Sequence, residues 1–176
     1  MDHLYHMGKA IKLAKVALGD GEFPVGCLLV YQDQIIANGV RSGTSRREAS
    51  APANEIDHAE MGALRKFYQL KTPVDPGRTT LYCTMEPCLM CYAAILLSGI
   101  GTIVYAYEDV MGGGTKCDKD MLAPLYRERS VNIIPHIRRD ESLSLFKDFF
   151  RNNHNNYWEN SLLARYTLAQ GLAGNN

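Results

Sequence analysis

The sequence lacks an excess of charge of either sign. Its 176 residues carry 19 Lys and Arg against 19 Asp and Glu. That balance excludes a broadly basic nucleic-acid coat and an acidic disordered tail. Long hydrophobic runs are missing too. The longest, Tyr92 to Leu97, is far too short to span a bilayer. Tryptophan is scarce, with Trp158 alone. No secretory signal is seen, and the five cysteines are an odd number, so a fully paired disulfide framework is excluded. Internal repeats and low-complexity tracts are absent. What remains is an ordinary composition, 46% hydrophobic and 22% charged, and a length suited to a single domain over 1–176 with a normal core. The expectation is a cytoplasmic protein with no membrane contact, whose cysteines need an explanation other than pairing.

Periodicity predicts alternating strands and helices. Leu4, Met7, Ile11, Ala14 and Leu18 recur at helical spacing, and Gly19-Asp20-Gly21 ends that helix. Val25–Tyr31 and Gln34–Val40 read as a hairpin. Residues 41–56 form a long polar loop without a period. A helix runs from about His58 to Leu70, with Met61, Leu64, Phe67 and Tyr68 as its core side. Strands follow over Thr79–Thr84 and Thr102–Tyr107, with a helix opened by Pro87 and closed by Gly99 between them. Gly112–Gly114 reads as a flexible loop and not a phosphate loop, since it lacks the following Lys-Ser/Thr. A short helix near 119–125 is disturbed by Pro124. A last strand spans Val131–Ile137, and helices are predicted over 140–152 and 157–169. The alternation argues for an α/β sandwich around a mixed sheet.

Two segments carry chemistry: His58-Ala59-Glu60 and Pro87-Cys88-Leu89-Met90-Cys91. Cysteines at i and i+3 on a helix share a face, so both sulfurs reach one metal. A helix N-terminus favours the thiolates that bind it. A neutral His is the usual third ligand, and three protein ligands leave one position for water, the catalytic arrangement. Residues i and i+2 diverge on a regular helix. His58 and Glu60 therefore both reach the metal only if His58 sits in the extended cap region and Asp57 lies outside the helix. Zinc lowers the pKa of water to about 7, and Glu60, close but not a ligand, is placed to carry the proton. Cys27, Cys83 and Cys117 read as buried or incidental thiols, and His3, His6, His136 and His154 as surface or core residues.

The pattern H-x-E followed by P-C-x-x-C is that of zinc nucleobase deaminases. From Phe23 to Tyr107 the chain resembles the cytidine deaminase-like superfamily, in the branch with tRNA adenosine deaminases, guanine deaminases and fungal-type cytosine deaminases. The matching residues are Pro24-Val25-Gly26, His58-Ala59-Glu60 and the run Leu81 to Cys91. The resemblance implies a three-layer α-β-α sandwich with a five-stranded mixed sheet. It implies one zinc per chain on His58, Cys88 and Cys91, with Glu60 as proton shuttle, and a homodimer. It places Pro24, Val25 and Gly26 along the base pocket, brings the Thr84-Met85-Glu86 backbone near the reacting centre, and sets Asp109 near a pocket aspartate of purine-acting members.

The chain also departs from that pattern. Arg41 stands where relatives often carry a base-gripping Asn, so Arg41 or Asn54 is the expected replacement. A guanidinium there favours a carbonyl-rich or anionic substrate. The 156–176 helical extension exceeds the tail of the tRNA enzymes, and Tyr157 and Trp158 are candidates to cover the pocket. The expected activity is zinc-dependent hydrolytic deamination of an amino-purine or amino-pyrimidine base, nucleoside or nucleotide. A tRNA adenosine deaminase is the alternative within the class, with tRNA as partner through Arg127, Arg129, Arg138, Arg139 and Arg151. A structural-zinc interaction module without turnover is the alternative outside it, and requires a fourth ligand such as Cys83 or Cys117.

Overall fold

The structure is a computed structural model, and it describes residues 2–45, 53–152 and 156–171. Part of the 41–56 loop, His154 and the end of the C-terminal extension lie outside the described residues. Asp2 caps the first helix, α1 (His3–Gly19), by accepting from the Tyr5 amide at 3.0 Å. Its buried stripe is His6, Met7, Ala10, Ile11, Ala14 and Ala17. Leu4, expected in the core, is exposed, because the stripe is set by the small residues Ala10 and Ala14, which let the sheet approach closely. Gly21 takes a positive φ of 76° and ends the helix.

Strands β1 (Gly26–Tyr31) and β2 (Gln34–Val40) form the expected hairpin. Gln32 and Asp33 turn it with φ of 49° and 64°, the left-handed backbone region that two-residue hairpin turns use. With β3 (Thr79–Met85), β4 (Thr102–Tyr107) and β5 (Asn132–Ile134) they make a five-stranded sheet in the order β2-β1-β3-β4-β5. β1 runs antiparallel to both neighbours, while β3, β4 and β5 are parallel. β5 is shorter than the 131–137 expectation: Pro135 has no amide to donate, and His136 turns to φ 66°.

Pleating splits the side chains of the sheet between two layers. Leu28, Val30, Tyr82, Val104 and Ala106 pack on Met7, Ile11 and Ala14 of α1 and on Leu145 of α5 (Arg139–Arg151). Cys27, Leu29, Leu81, Cys83 and Tyr105 face the opposite way, into the core with α2 (Ala59–Phe67) and α3 (Leu89–Leu97). This is an α-β-α sandwich. α2 ends three residues early, so Tyr68 is exposed and Met61 only half-buried, while Leu64 and Phe67 fill the core as expected. Pro124 does not disturb a helix but opens the short α4 (Pro124–Arg127), where its missing amide costs nothing. The last helix, α6 (Leu162–Ala169), begins five residues later than predicted. Trp158 and Asn160 sit at φ 57° and 61°, which no helix accommodates, and the Ser161 hydroxyl caps the Ala164 amide at 3.0 Å. α6 is tied to the sheet by the Tyr107–Thr167 hydroxyl pair at 2.9 Å. Among the described residues, no helix is long and apolar enough to cross a membrane.

Candidate active site

The two chemical segments meet at two helix N-termini. His58 precedes α2 in an extended conformation (φ −69°, ψ 155°), and Cys88 precedes α3 in the same way (φ −66°, ψ 169°). The cap position lets His58 turn toward the metal site that Glu60 borders from inside the helix. Asp57 lies outside the helix, where it accepts from Arg65 at 2.7 Å and Asn54 at 2.6 Å.

His58 Nδ1 lies 3.5 Å from Cys88 Sγ and 3.4 Å from Cys91 Sγ, and all three ligand atoms fall within 4.8 Å of one another. Zinc bonds of about 2.3 Å to sulfur and about 2.05 Å to nitrogen put tetrahedral N and S ligands about 3.5 Å apart. The donor set therefore fits zinc in kind and in spacing. The hydrogen bond from Cys91 brings the Cys88 thiol down, while the Cys88 sulfur pushes Cys91 up. Burial pulls His58 down, but the Cys88 sulfur and Glu60 outweigh it and raise its pKa. Neither Cys83 nor Cys117 joins the cluster among the described residues. The fourth protein ligand that a purely structural zinc site requires is absent from it.

Glu60 is 3% exposed beside this cluster, and burial raises its carboxyl above the usual range. The cluster opens on a cavity of about 90 Å³. Val25, Arg41, Glu86, Asp109 and Trp158 line it, as the sequence reading expected, together with Glu60, His58 and Cys88. Phe23, Glu55, Met85, Tyr157 and Leu163 also line it. Tyr157 and the Met85 backbone were expected near the site; Phe23, Glu55 and Leu163 were not, because their approach depends on how distant segments fold together.

Four expected pocket residues do not line the cavity. Gly26 backs onto α1, where a Cβ would meet the Ala10 carbonyl oxygen at 2.4 Å. Thr84 instead braces the strand entry, its hydroxyl accepting from the Gly26 amide at 3.1 Å and donating to the Pro24 carbonyl at 3.4 Å. Pro24 thus belongs to that brace. Asn54 is exposed and knots its own loop, accepting the Ile56 and Asp57 amides at 2.9 and 3.0 Å.

Arg41 lines the cavity but is committed elsewhere. It donates to the carbonyls of Asn54 (2.6 Å) and Ser42 (3.2 Å) and to the Tyr157 hydroxyl (3.3 Å), and pairs with Glu55 at 3.6 Å. Tyr157 in turn donates to Glu55 at 2.8 Å. Asp109 is both pocket wall and loop cap: its Oδ1 accepts the Met111 and Gly112 amides, each at 2.9 Å. Glu86 accepts the Asp109 amide at 3.1 Å and the Thr115 hydroxyl. The glycine run is there for close approach. A Cβ on Gly113 would meet the Asp109 carbonyl at 2.5 Å and the Glu86 carboxyl at 2.7 Å, and Gly113 bridges to Cys88.

His58, Cys88 and Cys91 would hold a zinc ion beside the cavity, and three protein ligands are the number of a catalytic rather than a structural centre, the class of a zinc hydrolase. The comparisons with known proteins make the class specific. The chain belongs to the cytidine and deoxycytidylate deaminase family, whose zinc-binding region matches residues 1–107. It is 35% identical over 150 residues to a tRNA-specific adenosine deaminase of Buchnera aphidicola subsp. Schizaphis graminum, covering 84% of this chain and 93% of the relative. It is 33% identical to a tRNA-specific adenosine deaminase 2 of Danio rerio, covering 85% and 71%. Among solved structures, one from a study of A-to-I editing by tRNA:A34 deaminases at the wobble position superposes with a TM-score of 0.64 at 28% identity, over 80% of this chain and 99% of that one. A guanine deaminase from Nitrosomonas europaea shares the fold, with a TM-score of 0.63 at 19% identity over 84% of each chain.

Proposed function

We propose that this deaminase acts on a small amino-purine or amino-pyrimidine, as base, nucleoside or nucleotide, inside a covered pocket. The observation that carries the reading is that Tyr157, Trp158 and Leu163, from the C-terminal segment, line the zinc cavity. A substrate enclosed on that side fits more readily than one embedded in a folded RNA.

His58, Cys88 and Cys91 would hold a zinc ion, which would supply a Lewis acid that lowers the pKa of water. Glu60 takes a proton from the attacking water and passes it to a ring nitrogen of the substrate. It then takes the second proton from the hydroxyl added to the ring carbon and delivers it to the amino group, so that the C–N bond breaks, a carbonyl forms and ammonia departs. The raised pKa that burial gives Glu60 suits a group that must hold each of the two protons in turn before delivering it. Phe23, Val25, Met85 and Leu163 supply apolar walls that keep bulk water from the reacting carbon.

The identity to tRNA-specific adenosine deaminases favours a second reading, deamination of adenosine in tRNA. The expected basic patch is weakened, however, because Arg138 pairs with Glu141 at 2.5 Å and Arg139 with Glu108. Ammonia release from bases, nucleosides, 5′-monophosphates and a tRNA anticodon stem-loop separates the two. Turnover of a free base or nucleoside supports the pocket reading, and turnover of the stem-loop alone replaces it with the tRNA one. Silence on the whole panel with zinc bound would falsify both.

A further inference from the structure

The charges around the cavity are lopsided. Glu55, Glu60, Glu86 and Asp109 line it, against a single guanidinium, Arg41. That guanidinium is 3% exposed, and it is already bonded to two carbonyls, the Tyr157 hydroxyl and Glu55. A phosphate entering here meets carboxylates and finds Arg41 occupied. Two cysteine thiolates would offset the formal charge of a divalent ion there. The acidic walls offer what an uncharged base edge needs, acceptors for its amino and ring N–H groups. Asp109 spends Oδ1 on its loop, and Glu55 spends one carboxylate oxygen, Oε2, on Tyr157 and Arg41.

We infer that this pocket selects uncharged, N–H-rich substrates, free bases and nucleosides, and rejects their 5′-phosphates, with Glu55 as the charge that enforces the rejection. The inference rests on the deaminase reading and narrows its substrate class. It reverses the expectation that Arg41 would draw an anionic substrate. Like charges brought together at a binding site oppose association, and added salt screens that repulsion.

Trp158 is the single tryptophan of the chain and lines the cavity, so its fluorescence reports occupancy without turnover. The test titrates zinc-loaded protein with adenine, guanine and cytosine, their nucleosides and their 5′-monophosphates. The expected result is that the best-bound base or nucleoside binds at least ~10-fold more tightly than its monophosphate, a difference of about 1.4 kcal/mol, and that 0.5 M salt narrows the gap. Glu55→Gln keeps an acceptor for Tyr157 and removes the charge, and is expected to narrow the gap by about threefold or more. A monophosphate that binds as tightly as its nucleoside, or a ratio unmoved by Glu55→Gln, overturns the inference. Absence of ammonia release with this binding preference intact would overturn the deaminase reading and leave the charge selection standing.

Discussion

Replacing Arg41 by Met removes a charged clamp and keeps most of its apolar stem, so the cost of the clamp can be read directly. The guanidinium joins the end of β2, the 53–57 loop and the turn before α6, three segments otherwise linked there by the Tyr157–Glu55 and Asn54–Gly43 bonds. Ser42, Asn54 and Glu55 are exposed, so water replaces Arg41 at their acceptors. Each lost carbonyl bond then costs about 0.5–1 kcal/mol, and the ion pair to half-exposed Glu55 about 0.5 kcal/mol. Tyr157 is buried but keeps Glu55 as its acceptor, so losing the Arg41 donor there costs about 1 kcal/mol. The guanidinium lies 5.9 Å from the Tyr157 ring centroid, at the far limit of a cation–π contact, and adds little. The sum is about 3 kcal/mol, a large part of the ~5–15 kcal/mol that holds a domain of this kind folded. Urea denaturation followed by circular dichroism measures it, and Trp158 fluorescence shows whether the 157–160 turn loosens first. A loss below about 1 kcal/mol would refute the clamp and return Arg41 to the free pocket cations.

Glu60→Gln is expected to reduce ammonia release by ~100-fold or more with zinc content unchanged by metal analysis, since it removes the proton carrier and no ligand; full activity would sink the mechanism. Burial pushes the Glu22 carboxyl up, but bonds from Ser45 and Thr44 outweigh it and bring it down to about 2. A lowered folded-state pKa contributes stability above the ordinary carboxylate range that is lost as pH falls toward 2. The Tm advantage of wild type over Glu22→Gln is therefore expected to shrink between pH 5 and pH 2.5, and a constant gap would contradict it. A Cβ at residue 39 would lie 1.8 Å from the Ala59 carbonyl oxygen. Gly39→Ala must push α2, and His58 with it, away from β2. It is expected to cost about 3 kcal/mol and to lower zinc retention in dialysis, and an unchanged Tm would refute this.

The fold and the metal set were legible in the sequence because both rest on local, repeated signals. Hydrophobic periodicity located α1, β1 to β4 and α5, and the i, i+3 cysteines with His58 announced the metal. Element ends were less legible where a single backbone angle decides them, as at Trp158 and Asn160 ahead of α6. Pocket walls were least legible. Asn54 and Gly26 are near the site in sequence pattern, yet one knots its own loop and the other faces α1. Phe23 and Leu163 line the cavity from opposite ends of the chain with no motif to announce them. Arg41 was located correctly, but its role turned on where its donors go, and those partners lie up to 116 residues away.

The two helix starts show what the metal site costs the fold. His58 and Cys88 occupy N-cap positions, and neither side chain makes a capping bond. Ser, Thr or Asp at such a position stabilises a helix by about 1 kcal/mol, so the two sites together forgo about 2 kcal/mol. Asp57, a residue type that caps helices well, stands one position before the residue a metal requires and lies outside the helix. Zinc restores the loss by linkage. At free zinc ~1,000-fold above its Kd it adds about 4 kcal/mol, more than both caps would supply. Stripping zinc with a chelator is therefore expected to lower Tm by about 8–16 °C, and His58→Ser is expected to lower the zinc-loaded Tm while raising the stripped one by restoring a cap. A Tm indifferent to verified zinc removal would show that the caps were never given up for the metal.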